Sequence, residues 1–178
     1  MKKTHKFVFI VLTIVAWIIF VGLCIEAGAL LVNFIYSLVK PEIVKKLYQK
    51  LDLSTLYQSS KWAYYAIYSF ILVISGLKAY LFYQVTTLIH KFDLAKPFNA
   101  FVSGKISQIS YVTFSIGMLS YLANGVVNNL KHRGYVIDNL NGFWSDSQAF
   151  ILMSAIIYII AVIFAKGVEL QNENDLTV

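Results

Sequence analysis

Uncharged, apolar residues follow one another in four long runs along this chain, parted by short stretches where lysine, proline and asparagine gather. Residues 7–25 carry no charge, and after Glu26 the apolar character resumes as far as Val39. Residues 62–77 lead into a lone Lys78 and then into a further apolar stretch, 79–89. Residues 106–130 are uncharged throughout, and 147–165 close the series before Lys166. About 20 apolar residues suffice for a helix to cross a bilayer. Lipid cannot satisfy a free backbone amide, and these runs lack the strict alternation of a barrel strand. The pattern predicts an all-α integral membrane protein, a four-helix bundle with spans at about 7–31, 62–86, 106–130 and 147–166. No repeat, low-complexity tract or linker divides the chain, so residues 1–178 read as one domain ending in an acidic tail, 167–178.

The connections add detail. Pro41 suits the first turn of a helix, and Ile43, Val44, Leu47, Tyr48 and Leu51 fall on one face opposite Lys45, Lys46 and Lys50. That spacing predicts a short helix lying in the membrane interface within the first extracytoplasmic loop. Trp62, Tyr64, Tyr65 and Tyr68 read as an aromatic belt at the start of the second span, and Phe143 with Trp144 as another before the fourth.

Composition agrees: 58% of residues are hydrophobic and 13% charged, where a soluble domain has about a quarter charged. The formal net charge of +6 would suggest nucleic acid in a soluble protein, but here the cations flank the apolar runs, as orientation in a membrane requires. An even number of spans places both termini on one side. Basic residues outside the spans divide seven against seven between the two sides, so the leading cluster Lys2, Lys3 and Lys6 decides, favouring cytoplasmic termini. Val21-Gly22-Leu23-Cys24 imitates a lipoprotein signal, but Leu23 is large where a small residue is wanted, and the apolar run before Ala27-Gly28-Ala29 is longer than the ~7–15 residues of a signal peptide core; the first helix is expected to be retained. Cys24 is the only cysteine, which excludes an intramolecular disulfide or a thiolate metal cage.

Little supports catalysis. His5, His90 and His132 are dispersed, no H-E-x-x-H, G-x-S-x-G or phosphate-binding glycine loop occurs, and no cofactor or metal is expected. Glu26 and Lys78 are the charges inside spans, which makes them functional candidates. Counted from the start of their runs at ~1.5 Å per residue, they fall near opposite faces of the membrane; if the two helices slide, they meet near mid-depth. The third span stacks Ser110, Thr113, Gly117, Ser120, Asn124 and Asn128 at steps of three and four, a small and polar stripe that should face the bundle interior, as should Gly22, Glu26, Ala29 and Asn33 of the first. Packing or a polar conduit would both use such stripes. On the cytoplasmic face, the basic loop 90–99 contains Pro97, Phe98 and Asn99, with Asn99 placed to cap the third span, while the tail carries Glu169 and Glu173 on one helical face. Loop and tail are expected to dock, or to receive a partner together.

The ending Gly167-Val168-Glu169-Leu170-Gln171-Asn172-Glu173-Asn174-Asp175-Leu176-Thr177-Val178 after a last span, together with the turn Lys96-Pro97-Phe98-Asn99, resembles the bacterial family known as domain of unknown function 2975. The chain departs from that pattern at Ala100-Phe101-Val102-Ser103-Gly104, where the family is more charged, which weakens the carry-over of a charged surface onto this loop. The resemblance implies a four-helix inner-membrane protein without an established activity, accompanied by small helix-turn-helix regulators, and hence a cytoplasmic protein partner rather than direct contact with nucleic acid. The expectation is a non-enzymatic protein of the lipid bilayer that binds or sequesters such a regulator. Pro97, Phe98, Asn99, Glu169, Leu170, Gln171, Glu173, Asp175, Leu176 and Val178 would form the binding surface, with Glu26, Lys78, Ser120 and Asn124 as the intramembrane polar set. A small transporter or channel subunit, or a structural subunit of a larger complex, is the alternative, and self-association is open.

Overall fold

The computed structural model describes residues 3–48, 51–93, 96–137, 140–144 and 146–175, and every regular element among them is helical. Helix α1 (Lys3–Val39) leads through a 3-10 turn (Pro41–Lys45) and the short α2 (Ser54–Ser59) to α3 (Lys61–Lys91). After a turn come α4 (Ala100–His132), the four-residue α5 (Asn141–Trp144) and α6 (Ser147–Asp175). Local chemistry sets the boundaries. The Ser60 hydroxyl accepts from the Ala63 amide at 3.3 Å to start α3, and the Asn99 carbonyl oxygen accepts from the Val102 amide at 2.9 Å to start α4. Gly134, at φ +87°, lets the chain leave α4, with the Tyr135 amide donating back to the Leu130 carbonyl.

The long helices stand in a row. Helix α1 packs on α3, α3 on α4, and α4 on α6, while no comparable contact joins α1 to α6 among the described residues. The all-α class expected from the sequence is met, but in place of the expected four-helix bundle the long helices form an open layer whose two outer helices keep most of their surface apolar and uncovered. Three helical stretches are long and apolar enough to cross a membrane: Phe7–Val39, Lys61–Lys91 and Gly142–Glu173. This suggests a membrane protein. Helix α4, at 33 residues, is as long but more polar, and it buries hydroxyl side chains alongside aliphatic ones. Ser110, Thr113 and Ser120 are buried against neighbouring helices while Tyr111, Phe114, Met118, Tyr121 and Leu122 point outward.

Helices α4 and α6 meet at Gly117, where a Cβ would come within 2.7 Å of Ile151 Cγ1 and 3.1 Å of the Ser147 carbonyl oxygen. Seven residues further down α4, the Ser110 hydroxyl donates to the Ser154 carbonyl at 2.9 Å, and Ala161 packs with Val102 and Ile106. Helix α6 therefore begins opposite the middle of α4, which overhangs it by roughly 20 Å at ~1.5 Å per residue. The connection after α4 folds back into this gap, burying Ile137, Leu140, Phe143 and Trp144 in the core around α3.

That core corrects two expectations from the sequence. The first connection does not form one amphipathic helix on lipid: among the described residues from Pro41 to Leu51 the regular part is Pro41–Lys45, and Val44, Leu47 and Leu51 turn into the protein to pack with Leu53, Leu56 and α3. The chain is held there by the Leu53 amide donating to the Val44 carbonyl, and by Asp52, whose carboxylate accepts from the Ser54 amide at 2.8 Å. Hydrogen bonds from the Ser54 hydroxyl and amide hold the Asp52 carboxyl below the usual carboxylate range. Nor are Tyr64 and Tyr68 a belt. Both are fully buried, the Tyr64 hydroxyl donating to the Ser37 hydroxyl at 2.9 Å and the Tyr68 hydroxyl to the Leu30 carbonyl at 3.0 Å, whereas Trp62 is 85% exposed. Phe143 and Trp144 are likewise interior. A tyrosine suits an interface or a core that offers its hydroxyl a partner, and α1 supplies one. Tyr68→Phe should therefore lower thermal stability in detergent by about 0.5–1.5 kcal/mol, while Trp62→Ala leaves it unchanged. Equal effects of the two would contradict this account.

Candidate functional site

Antiparallel packing of α1 on α3 fixes where the intramembrane charges fall. Leu30 faces Tyr68, and Phe20 lies 6.0 Å from Tyr83 between ring centroids, so Glu26 comes opposite the stretch that holds Lys78. Glu26 and Asp146, the residue before α6, stand within electrostatic reach of the half-buried Lys78 ammonium, and neither forms an ion pair with it among the described residues. That ammonium donates to the Phe143 carbonyl at 2.8 Å. From α4, the Asn124 amide donates to the Trp144 carbonyl at 3.4 Å, and Ser120 is buried one turn below it. Of the four polar residues singled out inside the spans, Lys78 and Asn124 reach the returning connection. Lys78 and Asn124 tether its backbone at adjacent carbonyls. Sequence spacing could not reveal this, because Phe143 is 65 residues from Lys78.

A second polar knot escaped the sequence reading. Gln84 of α3 is buried, its amide nitrogen donating to the Tyr80 hydroxyl at 2.6 Å. Lys105 of α4 donates to the side-chain carbonyls of Gln84 at 2.6 Å and Gln108 at 3.0 Å. A glutamine inside an apolar run was the available signal. Three amide and hydroxyl groups here disperse one cation without a carboxylate, and the Lys105 and Lys91 ammonium groups also sit over the Phe101 ring, at 6.0 and 5.2 Å from its centroid. Among the described residues no group of three histidine, cysteine, aspartate or glutamate side chains could hold a metal ion.

At the end of the row where α3 turns into α4, the turn and the tail meet. The Phe98 ring lies 5.3 Å from that of Phe164 and covers Gly167, where any Cβ would collide with it. Phe92 stacks on Phe9 of α1 at 5.7 Å and packs with Val102, Ile106 and Ala161. Asn99 serves as the cap of α4, its side-chain amide also donating to the Lys96 carbonyl at 3.0 Å, beside Pro97. Beyond Gly167 the helix continues, with Lys166 ion-paired to Glu169 and Leu170 53% exposed between Glu169 and the half-buried Gln171. Glu173 stands one turn beyond Glu169. Asp175 ends the helix; its side chain, with Leu176 and Val178, lies outside the described residues.

Helices throughout the described residues, three of them apolar and of spanning length, with polar tethers within the layer, suggest the membrane-protein class. The chain belongs to the family described as Protein of unknown function (DUF2975), which matches residues 46–178. No curated protein and no solved structure matches the chain.

Proposed function

We propose that this is a non-enzymatic inner-membrane protein that receives a cytoplasmic regulator, of helix-turn-helix type, on the face formed by the turn around Pro97–Phe98 and the projecting end of α6. In this reading all four long helices cross the bilayer and both termini are cytoplasmic. The outward Tyr111, Phe114, Met118, Tyr121 and Leu122 support a lipid-facing α4, as does the burial of Ser110, Thr113 and Ser120 on its other side. The observation that carries the reading is the seating of Phe98 on Phe164 and Gly167. It braces α6 where the apolar span ends, so that the tail stands as a helix, offering Leu170 flanked by carboxylates. An apolar anchor ringed by like charge gives a partner both contact area and charge selectivity.

Truncation after Gly167 removes the tail but spares the Phe98 contact. It should abolish co-purification of the regulator from native membranes, identified by mass spectrometry, while leaving thermal stability in detergent nearly unchanged. Retention of the regulator by the truncated protein would reject the proposal. A polar conduit is less well supported, because the close approach of Gly117 to Ile151 and the Ser110–Ser154 hydrogen bond fill the space between α4 and α6.

A further inference from the structure

The overhang of α4 beyond the start of α6 leaves an open groove of about 1120 Å³ at the end of the row opposite the tail. Its size is that of a generous small-ligand site, for which about 300–1,000 Å³ is common. Tyr121 and Leu122 line one part, and Asn128, Arg133, Asp146 and Ser147 another. The groove sits where the outer face of α4 changes character: up to Leu122 it is apolar and aromatic, and from Asn128 to Arg133 it is polar and basic. On the reading above that α4 crosses the membrane, this change marks the level at which hydrocarbon gives way to headgroups.

The groove carries both signs of charge. Arg133 offers a planar, permanently cationic fork suited to phosphate. Asp146, exposed just before the start of α6, lines the same groove with a carboxylate. A purely anionic ligand would be attracted at Arg133 and repelled at Asp146, whereas a zwitterion satisfies both. Tyr121 and Leu122 continue the wall toward hydrocarbon, which suits a ligand with acyl chains rather than a free solute.

We propose that this groove is a binding site for a zwitterionic phospholipid bearing a primary ammonium, with its phosphate on Arg133 and Asn128 and its ammonium on Asp146. The full-length protein in mild detergent, incubated with equal amounts of phosphatidylethanolamine and phosphatidylglycerol, should retain the former about fivefold or more over the latter by native mass spectrometry, a ratio equivalent to ~1 kcal/mol. Arg133→Gln should reduce retention of both lipids about fivefold, and Asp146→Asn should abolish the preference between them. Asn128→Asp, an exposed substitution on α4 that sets a carboxylate beside the phosphate, should reproduce the Arg133→Gln loss without touching the start of α6. Equal retention of the two lipids by the unaltered protein, or a preference indifferent to these substitutions, would overturn the proposal. So would displacement of bound lipid by soluble glycerophosphoethanolamine at equal concentration, which would make the headgroup alone the ligand. The crossing of α4 is read separately, by labelling Asn129→Cys in a Cys24→Ser background with an impermeant reagent, so failure of that topology and failure of lipid selection are distinguishable.

Discussion

Gly117→Leu should drive α4 and α6 apart and lower the stability of the protein in detergent by about 3 kcal/mol or more, at the upper end of overpacking costs. The obstacle is backbone. A Cβ at this position would meet the Ile151 amide nitrogen at 3.0 Å and the Ser147 carbonyl oxygen at 3.1 Å as well as Ile151 Cγ1 at 2.7 Å, and a rotamer change of Ile151 relieves only the last of these. The helices must separate, and the Ser110–Ser154 hydrogen bond two turns away then lengthens. In a layer where α6 has α4 as its main neighbour, no other contact compensates. Small residues matter in membrane helix pairs because association there rests on close van der Waals contact and interhelical hydrogen bonds, not on the hydrophobic effect. Gly125 of the same helix is the control: nothing lies within 4 Å of a Cβ there, so Gly125→Ala should be neutral or stabilising by up to ~1 kcal/mol. Thermal unfolding monitored by circular dichroism separates the two. A Gly117→Leu protein as stable as Gly125→Ala would refute the packing described for α4 and α6.

That contact was partly legible in the sequence. Ser110, Thr113, Gly117 and Ser120 recur at helical spacing, and small or hydroxyl side chains are what a membrane helix turns toward its neighbours; all four are buried. The equivalent stripe on α1 was a poorer guide. Glu26 and Ala29 are half-buried but Gly22 is exposed, and Leu30 and Ser37 make the closest contacts to α3 instead. With only one flanking helix, α1 needs a narrow seam, and its remaining surface is free to be apolar all round, so composition does not mark the buried side. The same ambiguity hid the open row. In lipid, an outer face and an inner face can both be hydrophobic, and no periodicity distinguishes a closed bundle from a layer. Nor could spacing show that α6 starts opposite the middle of α4, since the stagger depends on the fold of the connection between them. The tyrosines illustrate the limit for single residues: Tyr64 and Tyr80 look alike in the sequence, yet the first is buried against Ser37 and the second is exposed, because they stand on different sides of α3.

Lys78→Glu should be the most damaging single change in the polar layer, costing about 2–3 kcal/mol, less than the ~3–5 kcal/mol of a fully buried pair because the ammonium is only half-buried. In the native protein one ammonium serves the Phe143 carbonyl through a 2.8 Å hydrogen bond and attracts Glu26 and Asp146. The substitution removes that donor and adds a third carboxylate among two existing ones and a carbonyl oxygen. The returning connection, with Phe143 and Trp144 in the core, then loses the shortest side-chain tether on its backbone among the described residues and keeps the longer ones from Asn124 and Thr55. Lys78→Met isolates the lost hydrogen bond from the added repulsion. It keeps the length of the apolar stem, leaves the carbonyl without its donor and should cost about 1–3 kcal/mol. If the carboxylates contribute, Glu26→Gln should recover part of the loss in the Lys78→Glu background while destabilising the unaltered protein, a coupling of at least ~0.5 kcal/mol. Thermal unfolding of the four proteins in one detergent completes the cycle. Additive effects of the two substitutions would mean that Glu26 and Lys78 are neighbours in space without sharing a charge interaction, and that the tether is held by the Phe143 carbonyl alone.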